Sequence, residues 1–288
     1  MTTNPLRPTV ALLLAGLVAC APARAAESYD ACVGFIDSVP TTISTQGTWC
    51  LRKDLSTNIT NGYALTVASN NVTIDCNDFK IGGLAAGNDS TSFGIYAAQK
   101  QNVAVRHCNI RGFFYGIHLA GGAGHLVEDN RLDDNLYFGI YLTGENNRVR
   151  GNAVYDTGGK TGLSYAHGIY AHADIIDNTI SGLFADRTGG ILYGIRAFAA
   201  GAQVRDNTVS GFDTTPVQGG AANWAYGIDL YGYRQRASGN HVAGGDSNNL
   251  IGTGLYARYP AACLGNSVGG FNSSIDAKCT GTGNVVLP

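Results

Sequence analysis

Four stretches of the chain place reactive side chains at the same two offsets from a recurring Gly-aliphatic pair. Tyr170 and His172 follow Gly168-Ile169, Arg196 and Phe198 follow Gly194-Ile195, Asp229 and Tyr231 follow Gly227-Ile228, and Tyr256 and Arg258 follow Gly254-Leu255. Tyr141 stands at the first offset from an earlier pair, Gly139-Ile140. An arginine can clamp a carboxylate through two parallel N–H groups, which neutralises it and acidifies the proton on the adjoining carbon. With Arg196 in that role, His172 or Tyr170 could take the proton and the other could act as the acid. Aromatic faces suit the C–H groups of sugar rings. Hydrolysis of a glycosidic bond needs two carboxyls instead. Asp229 is the lone carboxylate at these offsets, while Asp186, Asp213 and Asp246 lie between repeats. The catalytic candidates are therefore His172, Arg196 and Tyr170; the binding candidates are Tyr141, Phe198, Asp229, Tyr231 and Arg258. The plainer alternative is a solvated ion pair between Arg196 and Asp229 among tyrosines that simply form good strands.

What positions these residues is a repeat. The Gly-aliphatic pair recurs at Gly94, Gly116, Gly139, Gly168, Gly194, Gly227 and Gly254. It alternates with an Asn-x-aliphatic mark at Asn109, Asn130, Asn152, Asn178, Asn207, Asn240 and Asn266, with Asn284 as a further member. Around each mark the residues alternate with period two, as in a strand. Three apolar columns result: Ile95 to Leu255 after the glycines, Ile110 to Val268 after the asparagines, and Val127, Val149, Ile175, Val204 and Ala237 before them. Three short strands per repeat, each with one inward column, describe one coil of a parallel β-helix. Such a coil buries its apolar residues only by stacking on its neighbours. From each Gly to the next Asn the interval is 15, 14, 13, 10, 13, 13 and 12 residues; from each Asn to the next Gly it is 7, 9, 16, 16, 20 and 14. The insertions thus fall at one turn and wall one side of the solenoid, over 156–167, 181–193, 211–226 and 243–253.

Composition fits a folded, turn-rich chain. Of 288 residues 40 are glycine, 44% are hydrophobic and 14% charged, which excludes disorder and argues against helices. A net charge of −2 predicts no nucleic-acid partner. Residues 9–19 form an apolar stretch of 11 behind Arg7, too short to span a bilayer and suited to a signal peptide over 1–25. Leu17-Val18-Ala19-Cys20 instead resembles a bacterial lipobox, which would end the signal at 19 and lipidate Cys20. The expected location is secreted or periplasmic, with an outer-membrane lipoprotein as the alternative. No transmembrane span and a monomer are expected. Either signal leaves six cysteines, an even number that predicts three bridges in an exported chain. Their spacing argues against a structural metal. The aspartates before the asparagines (Asp129, Asp177, Asp206) read as turn residues, with calcium as the one candidate cofactor.

The repeat resembles the right-handed parallel β-helices of the pectate-lyase-like superfamily, in the group carrying generic parallel β-helix repeats. The resemblance covers Gly62 to Val286. It implies a single-stranded solenoid of about eight coils, with 26–61 capping one end, 62–270 forming the helix and 271–288 closing the other end. It also implies a groove along the strands that begin at each Gly-aliphatic pair. Bridges Cys32–Cys50 and Cys263–Cys279 would staple the two caps, and Cys76–Cys108 would join adjacent coils. Asp133-Asp134 resembles the paired aspartates of polygalacturonases, without the Asn-Thr-Asp and Gly-His-Gly motifs that accompany them; pectate-lyase catalytic signatures are also absent. The resemblance therefore implies an acidic polysaccharide as partner, bound along the loop-walled face, and lyase or C5-epimerase chemistry if the chain is an enzyme. The rival expectation is a non-catalytic surface adhesin or envelope scaffold.

Overall fold

The structure, a computed structural model, describes residues 29–187, 189–215, 221–245 and 250–287. The segment expected to be a signal peptide, Cys20 and Asp246 lie outside these residues. Strands follow one another in threes and pair only in parallel, each with its counterparts one coil before and one coil after. About eight full coils run between the strands Tyr63–Val67 and Ser267–Gly269. The first sheet holds Phe93–Ala98, Tyr115–Ala120, Ile191–Ala197, Trp224–Leu230 and Leu250–Ala257, together with the first halves of the long strands Phe138–Arg150 and Tyr165–Ile176. The second sheet takes the later halves of those two strands and the short strands that follow the others, such as Gln203–Arg205 and Arg236–Ser238. The third is a separate 10-stranded sheet built from the segments after the asparagines.

The three predicted apolar columns are the core. Ile95, Ile117, Ile140, Ile169, Ile195, Ile228 and Leu255 are each 0% exposed, as are Ile110 to Val268 and Val127 to Ala237. Full burial of each such aliphatic chain stabilises the fold by roughly 1.5–3 kcal/mol, and only a neighbouring coil can supply it. The recurring glycines sit where adjacent coils come closest. A β-carbon on Gly168 would lie 2.5 Å from a methyl of Ile180 and 2.7 Å from the Gly194 carbonyl oxygen.

Between the second and third sheets runs an asparagine ladder. The Nδ2 groups of Asn130, Asn152, Asn178, Asn207, Asn240 and Asn266 each donate to the Oδ1 of the next member, ending on Asn284, at 2.9–3.0 Å. The same oxygens accept backbone N–H groups, as Asn178 does from Asn152 at 3.0 Å, so buried turn donors stay satisfied. Asn109 is not a member. The ladder position in that coil is Cys108, whose N–H donates to Asn130 Oδ1 at 3.0 Å, and the Cys76–Cys108 disulfide continues the stack one coil further. Disulfides also join Cys32 to Cys50 and Cys263 to Cys279. The residues before the ladder, Asp129, Asp177 and Asp206, take left-handed φ values of 53°, 56° and 60° and make the turn.

Both end segments carry rungs of their own. Cys32–Ile36 pairs with Gly47–Leu51, and Thr41–Ile43 pairs with Tyr63–Val67. At the other end Phe271–Ile275, Cys279–Thr280 and Val285–Leu287 extend all three sheets.

Candidate functional site

In each first-sheet strand the Gly and the following Ile both turn inward, so the alternation breaks there. The residue before the Gly therefore shares the outer face with the residue after the Ile. Two adjacent ladders run along the helix axis as a result. One contains Phe93, Tyr115, Phe138, His167, Tyr193 and Tyr226, with successive ring centroids 4.4–5.3 Å apart. The other contains Tyr96, His118, Tyr141, Tyr170, Arg196, Asp229 and Tyr256 in register. The first ladder is the part sequence reasoning missed. The signal was an aromatic or histidine before six consecutive repeat glycines, and strict alternation counted inward from the Ile assigned that position to the core.

In the central coils aromatics give way to charge. Arg196 Nε lies 2.8 Å from Asp229 Oδ2, with side chains only 21% and 3% exposed, so this is a desolvated pair and not a solvated one. The contact is out of line for a hydrogen bond at Nε, and Asp229 Oδ1 has no partner. Burial pushes the Asp229 carboxyl up to about 6, against the opposing pull of Arg196 and Arg258. The guanidinium is boxed by rings, with its carbon 4.5 Å from the centroid of Tyr193, 4.6 Å from Tyr231 and 5.3 Å from Phe198. His167 stacks between Phe138 and Tyr193; burial first, and the Arg196 charge second, bring it down to about 3, so it is neutral. Burial also raises Tyr193 to about 12, and raises Tyr170. Both phenols are proton donors near neutral pH. The arrangement offers one fixed cation, one carboxyl that titrates near neutrality and a row of protonated phenols.

Of the residues singled out from sequence, Tyr141, Tyr170, Arg196 and Asp229 form one continuous row. Phe198 and Tyr231 flank it, with Tyr170 to Phe198 at 4.2 Å and Phe198 to Tyr231 at 5.0 Å. Arg258 lies 4.5 Å over the Tyr231 ring. His172 is placed elsewhere. It lines a corner groove of about 710 Å3 with Glu145, Arg148 and Asp174. The strand Tyr165–Ile176 turns from first to second sheet without a loop, between longer corners on both sides, and this notch is the 10-residue interval seen in the sequence. Asp133 and Asp134 share Arg111 at the third sheet, an ion-pair cluster away from the first. The stacked rings meet each other face to face, as Tyr141 and Tyr170 do at 4.8 Å and 9°. The ladder therefore presents edges and hydroxyls outward, not the open faces expected from the strand pattern. At the loop side of the same strands Tyr165 and Trp224 stand 43% and 37% exposed.

Among the described residues no group of three or more His, Cys, Asp or Glu side chains is arranged to hold a metal ion, and no helix is long and apolar enough to cross a membrane. The three disulfides fit an extracellular or periplasmic setting.

A parallel β-solenoid with a charged centre set in an aromatic outer ladder is the class these features define. The chain belongs to the family described as right handed beta helix region, whose model matches residues 53–240. Its fold is the right-handed parallel β-helix. Among solved structures it is similar to the A-module of the mannuronan C-5 epimerase AlgE6 of Azotobacter vinelandii, at 14% identity and a TM-score of 0.49, over 90% of this chain and 79% of that one. It is also similar to the Dettilon tailspike protein, at 16% identity and a TM-score of 0.44, over 88% and 60%. A third is DFA-IIIase from Arthrobacter chlorophenolicus A6 without its lid, at 12% identity and a TM-score of 0.40, over 83% and 74%. No curated protein matches the sequence.

Proposed function

We propose that this chain is an exported protein that binds an extended acidic polysaccharide along the outer face of its first sheet, centred on Arg196. The observation that carries this reading is the replacement of ladder aromatics by charge in the central coils. Two guanidinium groups, Arg196 and Arg258, act on one buried carboxyl, Asp229, so the centre carries a net positive charge on a chain whose total is −2. Desolvation by Tyr193, Tyr231 and Phe198 strengthens the pull of Arg196 on an incoming carboxylate. Phenol hydroxyls along the ladder supply donors for sugar hydroxyls. Tyr165 and Trp224 supply exposed ring surface for C–H contacts at the loop side.

A catalytic reading rests on a second observation, the Asp229 carboxyl raised to about 6 beside Arg196. With a uronate carboxylate neutralised on Arg196, a base could remove the proton at C5 and a phenol such as Tyr170 could protonate the departing C4 oxygen, giving an unsaturated uronate. Return of a proton to C5 from the opposite face would instead give the epimer. His172, in its corner groove, is outside this scheme, and Asp229 takes its place as the proton-transfer group.

The test is direct binding of alginate, pectate and a neutral glucan to the mature protein, with Arg196→Gln beside wild type. Binding of the uronans alone, weakened by added salt and lost in Arg196→Gln, is expected; equal binding of the glucan would overturn the acidic assignment. The same mixtures in D2O, followed by NMR at C5 and by absorbance near 235 nm, decide catalysis. Deuterium at C5 without new absorbance means epimerisation, new absorbance without deuterium at C5 means elimination, and neither leaves a binding protein.

A further inference from the structure

We propose that the corner formed by Tyr233, Tyr259 and Arg258 is an outer subsite that takes a second uronate residue of the same glycan, two coils from Arg196. This rests on the binding reading above and adds to it a register and a direction. Tyr233 is 58% exposed, the most exposed aromatic among the described residues, yet it is held on an ordered turn. The anchor is Gln235, itself 1% exposed, whose Oε1 accepts the Gly232 N–H at 2.9 Å. Its Nε2 donates to the carbonyls of Ala197 and Ala199 at 3.1 and 3.0 Å. A buried amide with all these bonds made fixes the turn between two coils. Gly232 is required there, because a β-carbon would lie 2.5 Å from the Phe198 carbonyl oxygen.

Tyr233 stacks on Tyr259 at 3.8 Å and 23°, and among the described residues no other ring covers its second face. An exposed, preorganised ring face is what the first-sheet ladder lacks, and it is the surface a sugar ring packs on. Beside it stands Arg258, which has no carboxylate within 4.0 Å among the described residues. Its charge is felt locally: hydrogen bonds from Tyr233 and Arg258 hold the Tyr259 phenol below its ordinary value, although the phenol is at the surface.

Continuity with the centre runs through Tyr231. The guanidinium carbons of Arg196 and Arg258 lie 4.6 and 4.5 Å from its ring centroid. The three residues come from successive coils, which places the two cations about 10 Å apart along the helix axis. A polymer with a carboxylate on each sugar satisfies both at once when it runs along the axis towards the C-terminal coils. A neutral glycan satisfies neither, and a short oligomer satisfies only one.

The test uses oligouronates of graded length, from dimer to hexamer, titrated calorimetrically into the full mature chain, wild type and Tyr233→Ala. The expected result is an affinity loss that grows with length, reaching roughly three- to tenfold for the hexamer, since an aromatic contact of this kind is worth about one order of magnitude at most. Tyr233→Phe should restore hexamer affinity, because the ring and not its hydroxyl makes the contact. Thermal melting reports whether the variant is folded. A loss equal at every length, or no loss at any length in folded variant, overturns the outer subsite while leaving the Arg196 centre standing. Absence of uronate binding by wild type overturns the parent reading, and the outer subsite with it.

Discussion

The first sheet contains two regions built on identical columns that have become different surfaces. In its N-terminal half, Phe93, Tyr96, Tyr115, His118, Phe138 and Tyr141 interlock as rings, alternately stacked and edge-on. Every member is uncharged; His118 is brought down to about 4 by burial alone. In the central half the same two columns hold His167, Tyr193, Tyr226, Arg196 and Asp229, and here a buried carboxyl is left with one oxygen unpartnered. The in-register pairing and the buried inward column are the same in both halves. An aromatic ladder stabilises itself through ring contacts, whereas a desolvated charge pair in its place gains little or nothing in stability. The difference shows that the solenoid supplies the row of positions, and that the departure from self-complementary packing marks where a ligand is met.

The most severe break in this comparison is Arg196→Met. It leaves Asp229 buried without its contacting counter-charge, with only the more distant Arg258 still acting on it, and about 3–5 kcal/mol of stability should be lost on denaturant titration, together with uronate affinity. At the matching position of the N-terminal half, His118→Tyr should leave both nearly unchanged. Next is pH. The Asp229 carboxyl is raised in the folded state, so its contribution is fully present below its unfolded value near 3.8 and is lost as pH rises through about 6. Stability of wild type relative to Asp229→Asn should therefore fall by about 3 kcal/mol between pH 4 and 7.5. His118 has the opposite sign. Its folded value is lowered, so its contribution is present above pH 6.5 and lost as pH falls towards about 4, and His118→Tyr should lessen acid destabilisation.

A smaller effect separates the two ways of closing the second turn. Asn178→Ala removes the acceptor for both the N–H and the Nδ2 of Asn152, inside a ladder member that is 1% exposed, and should cost about 2 kcal/mol in chemical denaturation. At the N-terminal end, where Cys76–Cys108 occupies the ladder position, Asn109→Ala should cost under about 0.5 kcal/mol, because that side chain lies outside the ladder. An effect between those of Asn178→Ala and Asn109→Ala is expected for Tyr141→Leu, which gives up stacking on Tyr170 and should cost about 1 kcal/mol in thermal melts. A loss as large as that of Arg196→Met would mean that the aromatic ladder, and not the charge pair, is the constrained part of the sheet.

Periodicity alone determined the solenoid, its three inward columns and the row Tyr141, Tyr170, Arg196, Asp229, while the disulfide pairs came with the resemblance to the β-helix superfamily. The columns and the row follow from spacing, because a slip of one residue along a strand would turn its inward apolar column outward. The short interval from Gly168 to Asn178 also carried the corner notch, although nothing local showed that His172 would line it. What only the tertiary structure decided depends on contacts between coils. The inward turn of two successive residues at each repeat glycine comes from the approach of the next coil's carbonyl, and it placed His167, Tyr193 and Tyr226 on the outer face. The exchange of Asn109 for Cys108 in the ladder is a one-residue phase difference that the sequence also carried, since Ile110 follows Asn109 by one residue where Leu132 follows Asn130 by two, but the contact to Asn130 is what fixes Cys108 in the ladder. The raised Asp229 carboxyl depends on burial between coils, and the pinned turn bearing Tyr233 depends on the bonds of Gln235 to the Ala197 and Ala199 carbonyls of the preceding coil; strand alternation specifies direction but not the depth of burial.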